Sequence, residues 1–193
     1  MSLRLFAAFQ PPPEVAARAV ALQRGVPGAS WRPRENLHVT LRFFGDMPEN
    51  IARDLDAAIE EAVQGAPAFQ VQLKGAGSFG KAEPHTLWLG LAESPALRQL
   101  AQDVERAARR IGLKPEARKF TPHLTLAYLR GADRSFAFEQ TPQALARVQA
   151  FVSRCALFES PPWLVDRFGL YSSRLRQGQP SQYRLEAEYP LQG

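Results

Sequence analysis

Cysteine and histidine are scarce in this 193-residue chain, with one cysteine (Cys155) and three histidines. A single thiol forms neither an intramolecular disulfide nor a cysteine-built zinc site, which fits a reducing cytoplasm. No stretch approaches the ~20 apolar residues needed to span a bilayer, so no membrane partner is expected. The opening run MSLRLFAAFQ has too short an apolar core for a signal peptide and alternates like a strand. A phosphate-binding P-loop is missing too. Gly75-x-Gly77-x-x-Gly80 has the spacing of a dinucleotide fingerprint, but Pro84 and a strand follow where a helix should stand. The three glycines read instead as a flexible connection.

Hydrophobic residues make up 45% of the chain and charged residues 22%, an ordinary globular mix that leaves no room for long disorder. The length suits one sizeable core, or two small lobes sharing one. The formal net charge of +5 favours a polyanionic partner such as nucleic acid, although a merely basic soluble protein has the same balance. Arg109-Arg110 and Arg118-Lys119 are the only basic clusters, and Arg118 and Lys119 either attract RNA or sit in a solvated loop.

Periodicity orders the elements. Leu3–Phe9 reads as a buried strand ended by three prolines, and Glu14–Arg24 as a helix with Val15, Ala19 and Leu22 on one side. Trp31–Pro33 is extended, and Leu37–Phe44 is a strand that Gly45 stops. Pro48–Val63 is an amphipathic helix with Ile51, Leu55, Ile59 and Ala62 recurring. Strands follow at Phe69–Leu73 and Thr86–Leu91. Ser94-Pro95 starts a helix through Leu97, Leu100, Val104, Ala108 and Ile111, with Gly112 as its stop. His123–Leu129 is a strand, Thr141-Pro142 opens a shorter helix, and strand-like runs lie at Ala156–Phe158, Asp166–Leu175 and Tyr183–Tyr189. Hairpin-like connections rather than regular βαβ units indicate an α+β fold with two antiparallel sheets and helices on their outer faces.

Two of these strands repeat one another: His38-Val-Thr-Leu-Arg-Phe43 and His123-Leu-Thr-Leu-Ala-Tyr128. With three histidines and five threonines in the chain, two His-x-Thr motifs arise by chance with a probability of roughly 0.2%. Residues i and i+2 of a strand share a face. His38 therefore goes with Thr40 and His123 with Thr125, while Val39, Leu41, Leu124 and Leu126 enter the core. Burying both polar pairs without partners would cost ~1–3 kcal/mol per group, and a shared cleft relieves that cost.

Two imidazoles titrating near neutrality can act as one acid and one base. Two threonine hydroxyls can bond the non-bridging oxygens of a phosphate. The alternative of two ordinary polar positions on half-buried strands does not account for the repeat. A metal site would need a third ligand, and no Cys, Asp or Glu stands at a familiar spacing, so neither metal nor cofactor is expected. Alternation puts Arg42 on the His38/Thr40 face, where its guanidinium meets phosphate or forms a surface ion pair. His85 reads as a surface or substrate-edge residue, and Trp31 and Trp88 as core or cleft-wall aromatics.

The paired motifs resemble those of the two-histidine (2H) phosphoesterase superfamily, and most closely the RNA 2′,3′-cyclic phosphodiesterases, also called 2′-5′ RNA ligases. The resemblance extends through Arg4-Leu5-Phe6, Trp31, Glu35-Asn36-Leu37-His38, Leu87-Trp88-Leu89-Gly90-Leu91, Phe120-x-Pro122-His123 and Leu170-Tyr171-Ser172-Ser173-Arg174-Leu175. It implies a single domain over 1–193, bilobal and pseudo-two-fold, with the cleft between similar lobes. It further implies metal-independent hydrolysis of a terminal RNA 2′,3′-cyclic phosphate to a 2′-phosphate, together with reversible 2′-5′ RNA ligation. Carried over, His38 is the acid on the departing 3′-oxygen, His123 the base on water, and Thr40 and Thr125 the phosphate ligands. Relatives often have arginine where this chain has Tyr128. Tyr128 and Phe43 either stack on a nucleobase, a role that needs a bulge because strict alternation turns i+5 away from the histidine, or pack into the core. The expected partner is RNA with a cyclic-phosphate end, bound by a cytoplasmic monomer. Two other readings keep the cleft: a non-catalytic RNA-end-binding module, and a 2H enzyme acting on 2′-5′ oligoadenylate or a small cyclic nucleotide.

Overall fold

The computed structural model describes residues 2–80, 82–129, 141–176 and 179–193, of which 175, 176, 179 and 180 enter by backbone alone. The elements run β1 (Ser2–Phe9), α1 (Pro13–Ala21), β2 (Ser30–Trp31), a 3-10 turn at Arg34–Asn36, β3 (Val39–Pro48), α2 (Glu49–Val63), β4 (Phe69–Val71) and β5 (Leu73–Phe79). They continue with β6 (Thr86–Leu91), α3 (Pro95–Arg110), β7 (His123–Tyr128), α4 (Pro142–Arg154), β8 (Trp163–Val165), β9 (Arg167–Arg176) and β10 (Gln179–Pro190).

The α+β class and the two antiparallel sheets hold, but the sheets are unequal. Eight strands form one sheet in the order β10-β9-β1-β3-β7-β6-β5, with β2 added on β7, and β4 pairs with β8 in a two-stranded sheet. The large sheet has two halves that meet where Val39 of β3 pairs with Leu124 of β7. That junction is a single residue pair, whereas β1–β3 and β6–β7 pair along their lengths. The strands carrying the two motifs are therefore neighbours.

Helical periodicity decides what packs beneath. Ala52, Leu55, Ala58, Ile59 and Val63 form the buried stripe of α2, and Leu97, Leu100, Ala101, Val104, Ala107 and Ala108 that of α3. These stripes join Val39, Leu41, Leu124 and Leu126 in one core, and each fully buried Leu or Ile contributes about 1.5–3 kcal/mol. The Ser94 hydroxyl accepts from the Leu97 N–H at 3.3 Å, and the Thr141 hydroxyl from the Ala144 N–H at 3.1 Å. Each cap satisfies a helix-end donor and contributes about 1 kcal/mol. Helix α1 ends at Ala21, three residues short of the expected Arg24. No helix among the described residues is long and apolar enough to cross a membrane.

Three expectations are corrected. Gly45 does not stop β3: the strand runs on to Pro48, with Leu5 opposite Gly45 and Phe6 opposite Phe43. Phe44 is thus an extra residue, and Gly45 at φ +84° supplies the conformation that lets the bent strand continue. Gly75 and Gly77 form no loose connection but lie within β5, which pairs with β6. A Cβ on Gly77 would stand 2.4 Å from the Trp88 ring, so a bare backbone is what admits that indole. Ala156–Phe158 is a turn, closed by the Phe158 N–H on the Cys155 carbonyl at 3.0 Å.

Candidate active site

The β3–β7 register decides how the motifs meet. With Val39 opposite Leu124, one step either way sets Thr40 across from His123 and His38 across from Thr125. Alternation turns all four side chains to the face opposite the Val39 and Leu124 core. Both imidazoles are half-buried and anchored alike. His38 Nδ1 lies 2.8 Å from the Asn36 carbonyl and His123 Nδ1 2.7 Å from the Thr121 carbonyl. A carbonyl only accepts, so each Nδ1 carries the hydrogen and each Nε2 is left to exchange a proton.

Aromatic rings hold the imidazoles in place. Tyr183 meets His38 edge-on at 5.1 Å and 90°, and Phe6 lies 5.0 Å away. Phe79 meets His123 edge-on at 4.8 Å and 87°, and Trp88 lies 6.2 Å away. This walling has an electrostatic effect, because removing water disfavours the charged imidazole. Burial lowers His38 to about 4, assisted by the charges of Arg32 and His123, against the raising effect of the Asn36 hydrogen bond. Burial likewise lowers His123, assisted by Arg118 and opposed by the Thr121 hydrogen bond. A cavity of about 540 Å³ opens beside Thr40 and His123, with Phe43, Phe79, His85 and Lys119 in its wall.

Matched bulges settle the faces of the remaining candidates. On β3, Ala8 pairs with Thr40 but Ala7 with Arg42, so Leu41 is extra. On β7, Trp88 pairs with Thr125 but Leu87 with Ala127, so Leu126 is extra. Each bulge stands one residue after the motif threonine and reverses the alternation beyond it. Phe43 and Tyr128 are thereby turned onto the histidine face, 36% and 37% exposed. Guanidinium groups lie over both rings, Arg4 5.1 Å from Phe43 and Arg32 5.4 Å from Tyr128.

The same bulge overturns the expectation for Arg42. Its partner Ala7 lies on the core face, so the guanidinium leaves the His38/Thr40 row. It is 8% exposed, pairs with Glu105 at 3.0 Å and Glu116 at 3.3 Å, and donates to the Lys114 carbonyl at 2.7 Å. Arg42 touches the cavity wall as a strut tying β3 to α3 and the segment after it. Arg118 is likewise engaged, bonded to Glu116 at 2.9 Å, a contact that pulls Glu116 down to about 2. His85 sits at the cavity edge, its Nδ1 2.9 Å from the Thr86 hydroxyl. Trp31 packs on Phe151 at 5.7 Å, away from the histidines. No group of three His, Cys, Asp or Glu side chains among the described residues is arranged to hold a metal.

Sequence reasoning missed Phe6, Phe79, Tyr183 and Arg32. They come from β1, β5, β10 and the position just after β2, and no spacing links them to either motif. Only the His-x-Thr repeat marks the neighbourhood they enter.

Known proteins resemble this chain in sequence and in fold. RNA 2′,3′-cyclic phosphodiesterases are among its relatives. That of Thermus thermophilus is 28% identical over 201 residues, covering 99% of this chain and 91% of the relative. That of Thermotoga maritima is 28% identical over 89% of this chain and 84% of its own length. The Geobacillus stearothermophilus protein of that name is 29% identical over 87% of this chain but only 49% of its own length. The matches to Aeropyrum pernix and Methanothermobacter thermautotrophicus proteins span 56% and 53% of theirs, so the chain spans about half the length of these last three. In fold, a Thermus thermophilus protein superposes with a TM-score of 0.78 and Escherichia coli LigT, solved with 3′-AMP, with 0.75. Each is 24% identical and covers 99% of both chains. Residues 11–176, which include both motifs, match the 2′-5′ RNA ligase superfamily, and the chain belongs to that superfamily.

Proposed function

We propose that this chain is an RNA 2′,3′-cyclic phosphodiesterase, opening a terminal cyclic phosphate to a 2′-phosphate with His38 and His123 as its acid/base pair. The observation that carries this reading is the crossed arrangement, each histidine opposite the other motif's threonine with its Nε2 free. A phosphate lying over the Val39–Leu124 junction has a hydroxyl donor on each side, from Thr40 and Thr125, and an imidazole beyond each. Water attacks phosphorus as the neutral imidazole takes its proton. The P–O3′ bond breaks, and the charged imidazole protonates the departing 3′-oxygen. With a 5′-hydroxyl in place of the water, the same steps join two RNA ends: its oxygen bonds to phosphorus, its proton goes to the neutral imidazole, and the 3′-oxygen leaves protonated.

In the order the resemblance implies, His38 is the acid and His123 the base. Phe43 and Tyr128 flank the terminal base, their turn towards the histidines supplied by the two bulges. The reading takes the chain as one domain of two similar lobes and as a cytoplasmic monomer, in keeping with its single, buried thiol.

The test is incubation with an RNA ending in a 2′,3′-cyclic phosphate, in EDTA, with identification of the product. A 2′-phosphate is expected, and His38→Ala or His123→Ala should slow turnover at least ~10²-fold. An intact cyclic end, or full activity in the double variant, would sink the proposal. A substrate with sulfur for the 3′-oxygen has a leaving group that needs no acid, so it should rescue the acid's variant and not the base's.

A further inference from the structure

Arg32 keeps only 6% of its surface exposed, yet no carboxylate among the described residues lies within ion-pair reach of it. Arg42, nearly as buried, has two. The main chain at Arg32 is pinned: its N–H donates to the Leu126 carbonyl, and its carbonyl accepts from Gln23 Nε2, both at 2.8 Å. Among the described residues the guanidinium gives one hydrogen bond, to the Tyr183 hydroxyl at 3.1 Å. Its carbon lies 5.4 Å from the Tyr128 ring centre and 5.9 Å from that of Tyr183. Two aromatic faces offset part of the cost of burying the cation. They leave most of its five N–H donors without an anion.

The location gives this unbalanced charge a use. Tyr183 is also the ring set edge-on against His38, and Arg32 is near enough to His38 to oppose its protonation. The cation thus stands on the His38 flank of the cleft, on the row to which the Leu126 bulge turns Tyr128. We propose that Arg32 is a phosphate receptor of the cleft, its guanidinium binding the oxygens of a phosphate of the RNA substrate. The proposal rests on the RNA-end reading above. Two phosphates share this chemistry: the cyclic phosphate itself and the internucleotide phosphate on its 5′ side.

Arg32→Met keeps a long apolar stem and removes the charge. It should raise KM on a cyclic-phosphate-ended RNA about tenfold to a hundredfold, the range for hydrogen bonds to charged groups. The melting temperature of the free protein should stay level or rise. Binding of an RNA ending in a 2′-phosphate should weaken similarly, and its log affinity should fall less steeply with log salt, by roughly 0.7 for one lost contact. An equal KM rise on a mononucleoside 2′,3′-cyclic phosphate assigns the contact to the cyclic phosphate. A rise on RNA alone assigns it to the neighbouring one. Wild-type KM, affinity and salt slope in Arg32→Met would overturn the proposal. So would loss of the fold in both Arg32→Met and Arg32→Gln, which would make Arg32 a structural cation. The binding arm needs no turnover, so an inactive wild type with Arg32-dependent binding would count against hydrolysis alone.

Discussion

Thr40 stands across from His123 because Val39 pairs with Leu124, and the same register sets Thr125 across from His38. A phosphate between the strands therefore meets a hydroxyl from one motif on the side of the other motif's imidazole. Thr40→Val and Thr125→Val keep the strand-favouring shape and delete only the hydroxyl. Each should lower kcat/KM about tenfold to a hundredfold, the range for a hydrogen bond to a charged group. Steady-state kinetics on a cyclic-phosphate RNA measures it, and wild-type values in both variants would remove the threonines from the phosphate site.

The pH dependence follows from two imidazoles lowered unequally. His38 gains its proton only near pH 4, and His123 loses its own below 6.5. The productive form carries a single proton, which the proposed order puts on His38, against the shift that burial imposes there. The profile of kcat/KM, which reports the free enzyme, should be a bell rising through about pH 4 and falling before 6.5. An anionic phosphate favours charged imidazoles, so the kcat profile should lie at higher pH. A kcat/KM plateau extending well above pH 7 would contradict the assignment.

Stability should respond to the same burial. A histidine held at about 4 in the fold and near 6.5 when unfolded adds nothing above pH 6.5. It costs up to ~3 kcal/mol as pH falls to 4, because the unfolded chain takes the proton first. Urea midpoints at pH 7 and pH 4.5 should therefore differ less in His38→Asn than in the unaltered protein. Equal acid sensitivity would mean that His38 is not held neutral.

Phe43 and Tyr128, both over a third exposed, separate binding from folding. If one stacks a nucleobase, its change to Ala should weaken RNA binding about fivefold to a hundredfold, from ~1–3 kcal/mol of stacking. Stability should move little, about 0.5 kcal/mol, because neither ring fills the core. Affinity for a cyclic-phosphate RNA, compared between the two variants, identifies the stacking ring, and unchanged affinity in both would leave neither with that role.

Arg42 and Gly77 should show the opposite signature. Arg42→Met strands Glu105, leaves Glu116 to Arg118 alone and should cost about 2–3 kcal/mol. That is below the ~3–5 for a fully buried pair, since the carboxylates keep 26% and 29% exposure. KM for RNA should be unchanged. Gly77→Ala drives a methyl into the Trp88 ring, costing ~1–3 kcal/mol by overpacking and lowering kcat through the indole beside His123. Denaturant melts with kinetics would show both, and a raised KM in Arg42→Met would restore a substrate role.

What the sequence determined by itself was local. Apolar periods of two and 3.6 foretold the long helices and the motif strands, since side-chain direction follows from backbone geometry within a few residues. The His-x-Thr repeat, by the same rule, set each histidine beside its threonine. Only the tertiary structure decided the rest, because a partner strand determines where an extra residue bulges. Leu41 and Leu126 look like ordinary strand residues until Ala7–Ala8 and Leu87–Trp88 pair beside them. From those pairings came the reversal that sends Arg42 to its carboxylates and brings Phe43 and Tyr128 to the histidines. Distance along the chain hid Arg32 as well, whose hydroxyl partner on Tyr183 lies 151 residues away.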